Sequence, residues 1–229
     1  MKKLFTVLLL SVSLLSASAQ KQAVLDLLKK HNIESSILDQ QSKQPVDDHA
    51  FDLKYSLIND NKEAITLASY DPSKPESERW TVISVKGKIP GKSDIKSFIK
   101  AHSKRPVAVK IDEGSFIVEK ETPEYLIVSY KQDPSSLPDE AKFMKDCRMH
   151  MTINLKSKRI EQLQSLNEKP LKIKIFNAEK LDLLVKLIWN EQEQRYFTES
   201  EDMNLIVKFL GQLAPMETIS VYSNYKKVL

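Results

Sequence analysis

The sequence predicts an α+β fold that is mainly antiparallel β: a curved sheet or half-barrel of roughly ten strands with a few short helices. Apolar and polar residues alternate over many short segments, which is typical of half-buried strands, and turn-forming residues separate these segments. Strands and helices do not alternate regularly along the chain, which disfavours a doubly wound parallel sheet. We expect residues 20–229 to form a single globular domain of this kind.

The N-terminus has the pattern of a secretory signal peptide. Lys2 and Lys3 precede an apolar run from Leu4 to Leu15, which is shorter than the roughly 20 residues that a membrane-spanning helix needs. Ala17 and Ala19 then place small residues at the two positions that a signal peptidase reads. We therefore expect residues 1–19 to be a signal peptide cleaved before Gln20, and the protein to be periplasmic or secreted without a transmembrane segment.

The mature chain is predicted to begin with a helix followed by a hairpin. Val24, Leu27 and Leu28 are spaced at i, i+3 and i+4, which predicts one face of an amphipathic helix. The period then changes to two between Phe51 and Leu57, which predicts a strand. Residues 63–70 form the second strand of the hairpin.

Further strands and a short helix are predicted in the middle of the chain. Residues 80–85 read as a strand, and Ser93 is the predicted N-cap of a short helix that carries Phe98. Residues 107–111 and 115–119 are expected to form a hairpin around Gly114. In the last third, residues 147–155 and 181–189 alternate as strands do, although residues 181–189 are apolar enough for a helix as well.

The sequence offers little catalytic chemistry. It holds four glycines, none of them in a G-x-G arrangement, which excludes a Walker loop, a dinucleotide-binding fingerprint and a G-x-S-x-G nucleophile elbow. Cys147 and His150 are the one close thiol–imidazole pair, but residues three apart on a strand point to opposite faces. We therefore expect no enzymatic activity, no cofactor and no metal site, and we read Asp47, Asp48 and His49 as a solvated loop.

The charge pattern argues against a nucleic-acid partner on electrostatic grounds. The formal net charge is only +4 over 229 residues, and the charges of both signs are dispersed. The lysines near residues 86–92 and 169–174 are spaced as on the solvated face of a strand. The expected partners are thus a lipid or acyl ligand, or another protein of the envelope.

Aromatic residues and methionines provide a candidate ligand site. Many of them lie on or beside the predicted strands, where they either pack a core or line an apolar cavity that is left partly open. The residues predicted to line such a cavity are Trp80, Met149, Met151, Phe176 and Trp189.

One segment resembles a signature of an uncharacterised family of exported bacterial proteins. The segment contains Tyr70-Asp71-Pro72, then Arg79-Trp80-Thr81-Val82-Ile83-Ser84-Val85, then Gly87-Lys88-Ile89-Pro90. The family pattern reads roughly F-D-P, a short loop, R-W-T-L-L-S-V, a polar residue, G and P. The resemblance covers about twenty residues and implies an exported domain, without an activity.

The order of predicted elements is also similar to that of LolA-type half-barrel lipoprotein carriers. These proteins have a signal peptide, an N-terminal helix and antiparallel strands interrupted by short helices. The closing residues Tyr222 to Val228 resemble their aromatic last strand. This resemblance implies a half-barrel that binds an apolar ligand, and Arg79 is the one candidate for an arginine inside its cavity.

The sequence thus favours an exported, non-catalytic protein that binds a lipid or acyl chain in a curved-sheet cavity. Two alternatives remain open. The first is a protein-interaction domain of the envelope whose sheet is fully packed, and the second is a hydrolase whose catalytic residues are dispersed along the chain.

Overall fold

The computed structural model of the chain describes residues 19–39, 48–59, 62–103, 109–173, 176–209 and 211–228. Two α-helices lie in these ranges, α1 (19–30) and α2 (Lys92–His102). Short 3₁₀ segments span Ser35–Leu38, Glu76–Glu78, Pro134–Ser136 and Asp139–Asp146. The strands are β1 (His49–Asn59), β2 (Lys62–Tyr70), β3 (Trp80–Val85), β4 (Ile111–Glu121), β5 (Tyr125–Gln132), β6 (Cys147–Asn154), β7 (Arg159–Asn167), β8 (Leu171–Ile173), β9 (Phe176–Asn190), β10 (Arg195–Phe209) and β11 (Gln212–Lys227).

These eleven strands form one curved sheet that does not close into a barrel. The strand order is β3-β2-β1-β11-β10-β9-β7-β6-β5-β4, with β8 paired to β9 beside this path. Every pair of neighbouring strands is antiparallel. The predicted fold class, mainly antiparallel β with a few short helices, is confirmed.

The pairing of β1 with β11 joins the two ends of the sequence into this sheet. Tyr55 lies opposite Ser220, and Leu53 lies opposite Tyr222. The first three strands therefore extend the sheet that the later strands build, instead of forming a separate hairpin domain. As a consequence, side chains from both ends of the chain share the same face of the sheet.

Helix α1 packs on this face at the β4–β7 end of the sheet. Val24 and Leu28 are almost fully buried in a cluster with Val128 and Met151. The helix ends at Asn32, whose φ of 53° is left-handed, and the Ile33 N–H donates to the carbonyl of Leu28 at 2.8 Å. This Schellman arrangement satisfies the last carbonyls of the helix and turns the chain back towards the sheet.

Helix α2 covers the other end of the same face. Phe98 is buried against Leu53, Ala68 and Val82 of the first three strands. The prediction that Ser93 caps this helix is wrong. The N-cap is Gly91, and its backbone N–H donates to the Asp94 carboxylate at 2.9 Å, so Ser93 lies within the first turn.

Two other predictions about local structure can be compared with the fold. The prediction of a hairpin around Gly114 is wrong, because β4 runs unbroken from Ile111 to Glu121. Residues 107 and 108 of the predicted hairpin lie outside the described ranges. The pairing of β4 with β5 is irregular between Asp112 and Ile117, and this irregularity accommodates Gly114 within the strand. Residues 181–189 do form a strand, as their alternation indicates, since they lie within β9.

Cys147 and His150 diverge as predicted for residues three apart on a strand. Cys147 is 2% exposed and packs with Leu171, Ala178 and Leu181, whereas His150 is half-buried on the opposite side of β6. Burial raises the pKa of the Cys147 thiol to about 11. Because the thiolate is the reactive form, this cysteine is unreactive at neutral pH.

The packing of α1 gives the first testable prediction. Leu28→Ala should lower the free energy of unfolding by about 3 kcal/mol, because it removes a fully buried side chain and leaves a cavity under the helix. Lys29→Ala is the matched control, since Lys29 is exposed on the same helix and should change stability by less than about 0.5 kcal/mol. Urea denaturation followed by circular dichroism measures both. Equal stability of the two variants would show that α1 is not anchored to the sheet.

Candidate binding site on the inner face of the sheet

The strand registers place side chains from ten strands in one row across the face that carries α1 and α2, here called the inner face. Directly paired residues of neighbouring strands point to the same face of a sheet. The row consists of Val118, Val128, Met151, Leu163, Val185, Glu201, Ser220, Tyr55, Thr66 and Val85. Glu201 is the one ionisable carboxyl in this otherwise apolar or hydroxyl-bearing row.

A second row runs parallel to the first, two residues along each strand. It consists of Tyr130, Met149, Ser165, Leu183, Met203, Thr218, Leu57 and Ala64. Because side chains two residues apart on a strand share a face, both rows belong to the inner face. Together they form a broad and mostly apolar surface.

The two ends of these rows are covered by the helices. At one end, Met151 and Val128 are fully buried beneath α1. At the other end, Tyr55 contacts His102 of α2 with ring centroids 5.1 Å apart. A third cluster lies under the Asp139–Asp146 segment, where Phe143 and Met144 pack against Cys147 and Leu181.

The middle of the inner face lies between these three clusters. We call it the central patch and define it by Leu57, Leu183, Val185, Glu201, Met203, Thr218 and Ser220. Met203 forms its border and also packs against the third cluster. Leu57, Leu183 and Val185 are half-buried and belong to none of the three clusters of described residues. Partly exposed aliphatic side chains at the centre of a sheet are a surface on which an apolar ligand could bury further area.

Glu201 lies within the central patch and is held by Tyr222. The Tyr222 hydroxyl donates a hydrogen bond to Oε2 of Glu201 at 3.1 Å. Burial raises the pKa of Glu201 despite this hydrogen bond, and burial together with the nearby carboxylate raises the pKa of Tyr222. Tyr225, whose hydroxyl donates to the Thr198 carbonyl at 2.8 Å, also has its pKa raised by burial and by Glu201. A poorly solvated acid thus adjoins two tyrosines that remain protonated.

An aromatic cluster continues from Tyr222 towards the β3 edge. Phe51 has ring centroids within 5.7 Å of Tyr70, Trp80, Tyr222 and Tyr225. The central patch is therefore bordered on one side by aromatic rings and on the other by the aliphatic cluster beneath α1.

Of the residues predicted from the sequence as ligand contacts, Met149, Met151 and Trp189 come together in the cluster beneath α1, whereas Trp80, Phe176 and Arg79 lie elsewhere. Met149 lies in the second row, two strands from Leu183. Met151 is fully buried under α1, and Trp80 packs in the aromatic cluster with Phe98 at 5.3 Å. Phe176 begins β9 and is 41% exposed. Arg79 donates from Nε to the Lys74 carbonyl at 3.2 Å, within the loop before β3.

Trp189, the remaining predicted contact, lines a separate open cleft of about 550 Å³ beside the C-terminal end of α1. The Arg159 guanidinium lies over its indole ring at 3.8 Å, and Tyr196 meets it edge-on with centroids 4.8 Å apart. Lys158 and Glu34 also line this cleft, so its charges are mixed. It lies away from the central patch, at the far end of β9.

His49 is more deeply buried than the loop interpretation of its surroundings predicts. It begins β1, is 1% exposed, and has Nδ1 2.8 Å from Asp48 Oδ1 and Nε2 2.9 Å from Glu193 Oε1. Carboxylates only accept, so both bonds form when the imidazole carries two N–H groups. Burial works against the charge on Asp48, but His49 and Arg195 hold the pKa of Asp48 below its usual value. This cluster ties the start of β1 to the β9–β10 turn (Asp47 lies outside the described ranges).

The described ranges contain neither a metal-binding cluster nor a membrane-spanning helix. No group of three or more His, Cys, Asp or Glu side chains is arranged to hold a metal ion there. None of the helices there is long and apolar enough to cross a membrane. Comparison with known proteins finds no matching family model and no matching curated protein.

The environment of Glu201 gives a second prediction. A carboxyl whose pKa is raised by folding binds its proton more tightly in the folded state. The protein therefore loses stability as the pH rises above 4.5, the ordinary pKa of a glutamate. Glu201→Gln removes this loss of stability, and its amide oxygen can still accept the hydrogen bond from Tyr222. At pH 7 we expect it to raise the free energy of unfolding by about 1 kcal/mol, an ordinary size for a single substitution.

The pH dependence separates this effect from general stabilisation. Below pH 4.5 the advantage of Glu201→Gln should disappear, because the wild-type carboxyl is then protonated in both states. Glu63→Gln is the control, since Glu63 is exposed on β2 and should change stability little at either pH. Chemical denaturation across the pH range measures all three proteins. A gain that persists unchanged at acidic pH would contradict the burial of an ionised Glu201.

Proposed function

We propose that this protein is an exported, non-catalytic protein of the cell envelope that binds a lipid or acyl chain on the inner face of its sheet. The observation that supports this proposal most strongly is the central patch, where Leu57, Leu183 and Val185 remain partly exposed and belong to none of the three packed clusters. A fully packed interaction domain would be expected to close this region with its own side chains.

The side chains of the central patch suit a chain-like ligand. Aliphatic contacts come from Leu57 on β1 and from Leu183 and Val185 on β9. Met203 adds a flexible, polarisable side chain that adapts to ligands of variable shape. The Trp189 cleft and Met149 lie on the same side of the fold as the cluster beneath α1. Binding would draw on buried apolar area more than on directional contacts.

The proposal therefore predicts a dependence on chain length. Each added methylene that is buried contributes about 0.8 kcal/mol, which corresponds to about a fourfold gain in affinity. Calorimetric titration with a series of alkyl alcohols of increasing chain length measures this increment. Affinity that does not rise with chain length would favour the protein-interaction alternative.

Matched variants on one strand locate the site. Leu183→Gln should weaken binding by about tenfold, because it replaces an aliphatic contact of the central patch with a polar one. Ile188→Gln is the control, since Ile188 lies on the outer face of the same β9 strand and is 51% exposed. Circular dichroism establishes that both variants are folded. Equal losses in the two variants would place the ligand elsewhere.

Export is the second part of the proposal. It is supported by Lys2, Lys3, the apolar run and the Ala17-Ser18-Ala19 site. Residues 1–18 lie outside the described residues. N-terminal sequencing of the protein from an envelope fraction should begin at Gln20. Full-length protein retained in the cytoplasm would contradict this part alone and leave the ligand-binding part standing.

A further inference from the structure

Glu201 is an unusual residue for the middle of an apolar binding surface. Its cross-strand neighbours are Val185 on β9 and Ser220 on β11. Tyr222 donates to Oε2, but no residue in the described part of the chain donates to the other oxygen, Oε1. One half of the carboxyl group is therefore without a hydrogen-bond partner from the described protein.

Glu201 also lacks a cationic partner among the described residues. Glu168, by contrast, binds both Lys131 and Arg148. A carboxylate with restricted access to water and without a cationic partner is costly to keep ionised, since solvent and the single hydrogen bond from Tyr222 compensate its charge only in part. A ligand that brings a positive charge would supply what the protein does not.

The surroundings of Glu201 favour a cation over an anion. Tyr222 and Tyr225 lie beside it, and they belong to the same aromatic cluster as Phe51. Aromatic faces attract ammonium groups through their ring quadrupoles. A free fatty acid, a sulfate or a phosphate would instead place a negative charge next to the carboxylate, which is repulsive.

We infer that the preferred ligand is an alkyl or acyl chain with an amine or other cationic head, and that Glu201 selects this head. The chain lies along the aliphatic residues of the central patch while the ammonium group donates to Oε1 of Glu201. Glu201 thus acts as a specificity-determining residue of the proposed site, so the inference rests on the proposed function. Among ligands of equal chain length, the charge of the head group should therefore determine the order of their affinities.

Decylamine, decanol and decyl sulfate test this ranking, because they share one alkyl chain and differ in head charge. Calorimetric titration at pH 7 below their aggregation concentrations should give the tightest binding for decylamine. A charge-assisted hydrogen bond corresponds to about a tenfold preference or more over the neutral alcohol. Decyl sulfate should bind more weakly than decanol.

Two variants assign the preference to Glu201. Glu201→Gln should reduce the preference for decylamine over decyl sulfate by at least about tenfold. Asp202→Asn is the matched control, because it removes the same charge from the neighbouring residue on the opposite face of β10 and should leave the ranking unchanged. Circular dichroism verifies that both variants are folded.

The possible results separate this inference from the function on which it rests. Decylamine that binds no more tightly than decanol or decyl sulfate would overturn the inference and leave an apolar site in place. The same would hold if Glu201→Gln left the ranking unchanged, or if Asp202→Asn altered it as much. The absence of binding by all three ligands would overturn the proposed function as well.

Discussion

The pairing of β1 with β11 is the constraint on which the rest of the structure depends. It attaches β1, β2 and β3 to the long C-terminal strands, so one sheet carries α1 at one end and α2 at the other. Each helix covers its own cluster, and the central patch is the area between them. Without this pairing there would be two smaller layers, each with a helix on one face, and no extended surface between them.

The proposed site illustrates how a fold can leave a binding surface while remaining well packed elsewhere. The clusters beneath α1 and α2 include many fully buried side chains, among them Leu28, Leu53 and Met151. The same rows of side chains continue into the central patch, where Leu183 and Val185 are only half-buried. Fully buried side chains are thus concentrated in the clusters around the central patch, and the proposed function assigns the less buried middle of the inner face to the ligand. Glu201 adds polarity there at a cost that a cationic ligand would offset.

The sequence was informative where structure depends on local periodicity. The alternation in residues 181–189 and 147–155 correctly predicted strands, and the spacing of Val24, Leu27 and Leu28 correctly predicted α1. It was misleading at Gly114 and Ser93, where a strand irregularity and the Asp94 carboxylate determine the local structure. The β1–β11 pairing could not be predicted, because no local pattern specifies which distant strands become neighbours.

The candidate site was missed for a related reason. Residue type alone points to Trp80, Met149, Met151, Phe176 and Trp189, but the topology gathers Met149, Met151 and Trp189 beneath α1 and places Trp80 and Phe176 elsewhere, so none of the five lies in the central patch. Tyr196 faces inward. If β10 alternated regularly after Tyr196, the side chains of Ser200 and Asp202 would face inward and that of Glu201 would face outward. The bulge between Thr198 and Ser200 reverses this order and turns Glu201 into the central patch. A one-residue irregularity therefore decides which acid faces the site.

Methyl-resolved NMR tests the central claim most directly, because Met203 and Ile188 report on opposite faces of the sheet. Met203 lies in the second row of the inner face, next to Leu183, and Ile188 is exposed on the outer face. In protein labelled at methionine and isoleucine methyl groups, titration with decylamine should shift the Met203 methyl signal, give intermolecular contacts to the alkyl chain, and leave Ile188 unchanged. An unperturbed Met203 signal at saturating ligand, or equal perturbation of Ile188, would contradict an apolar binding site at the centre of the inner face.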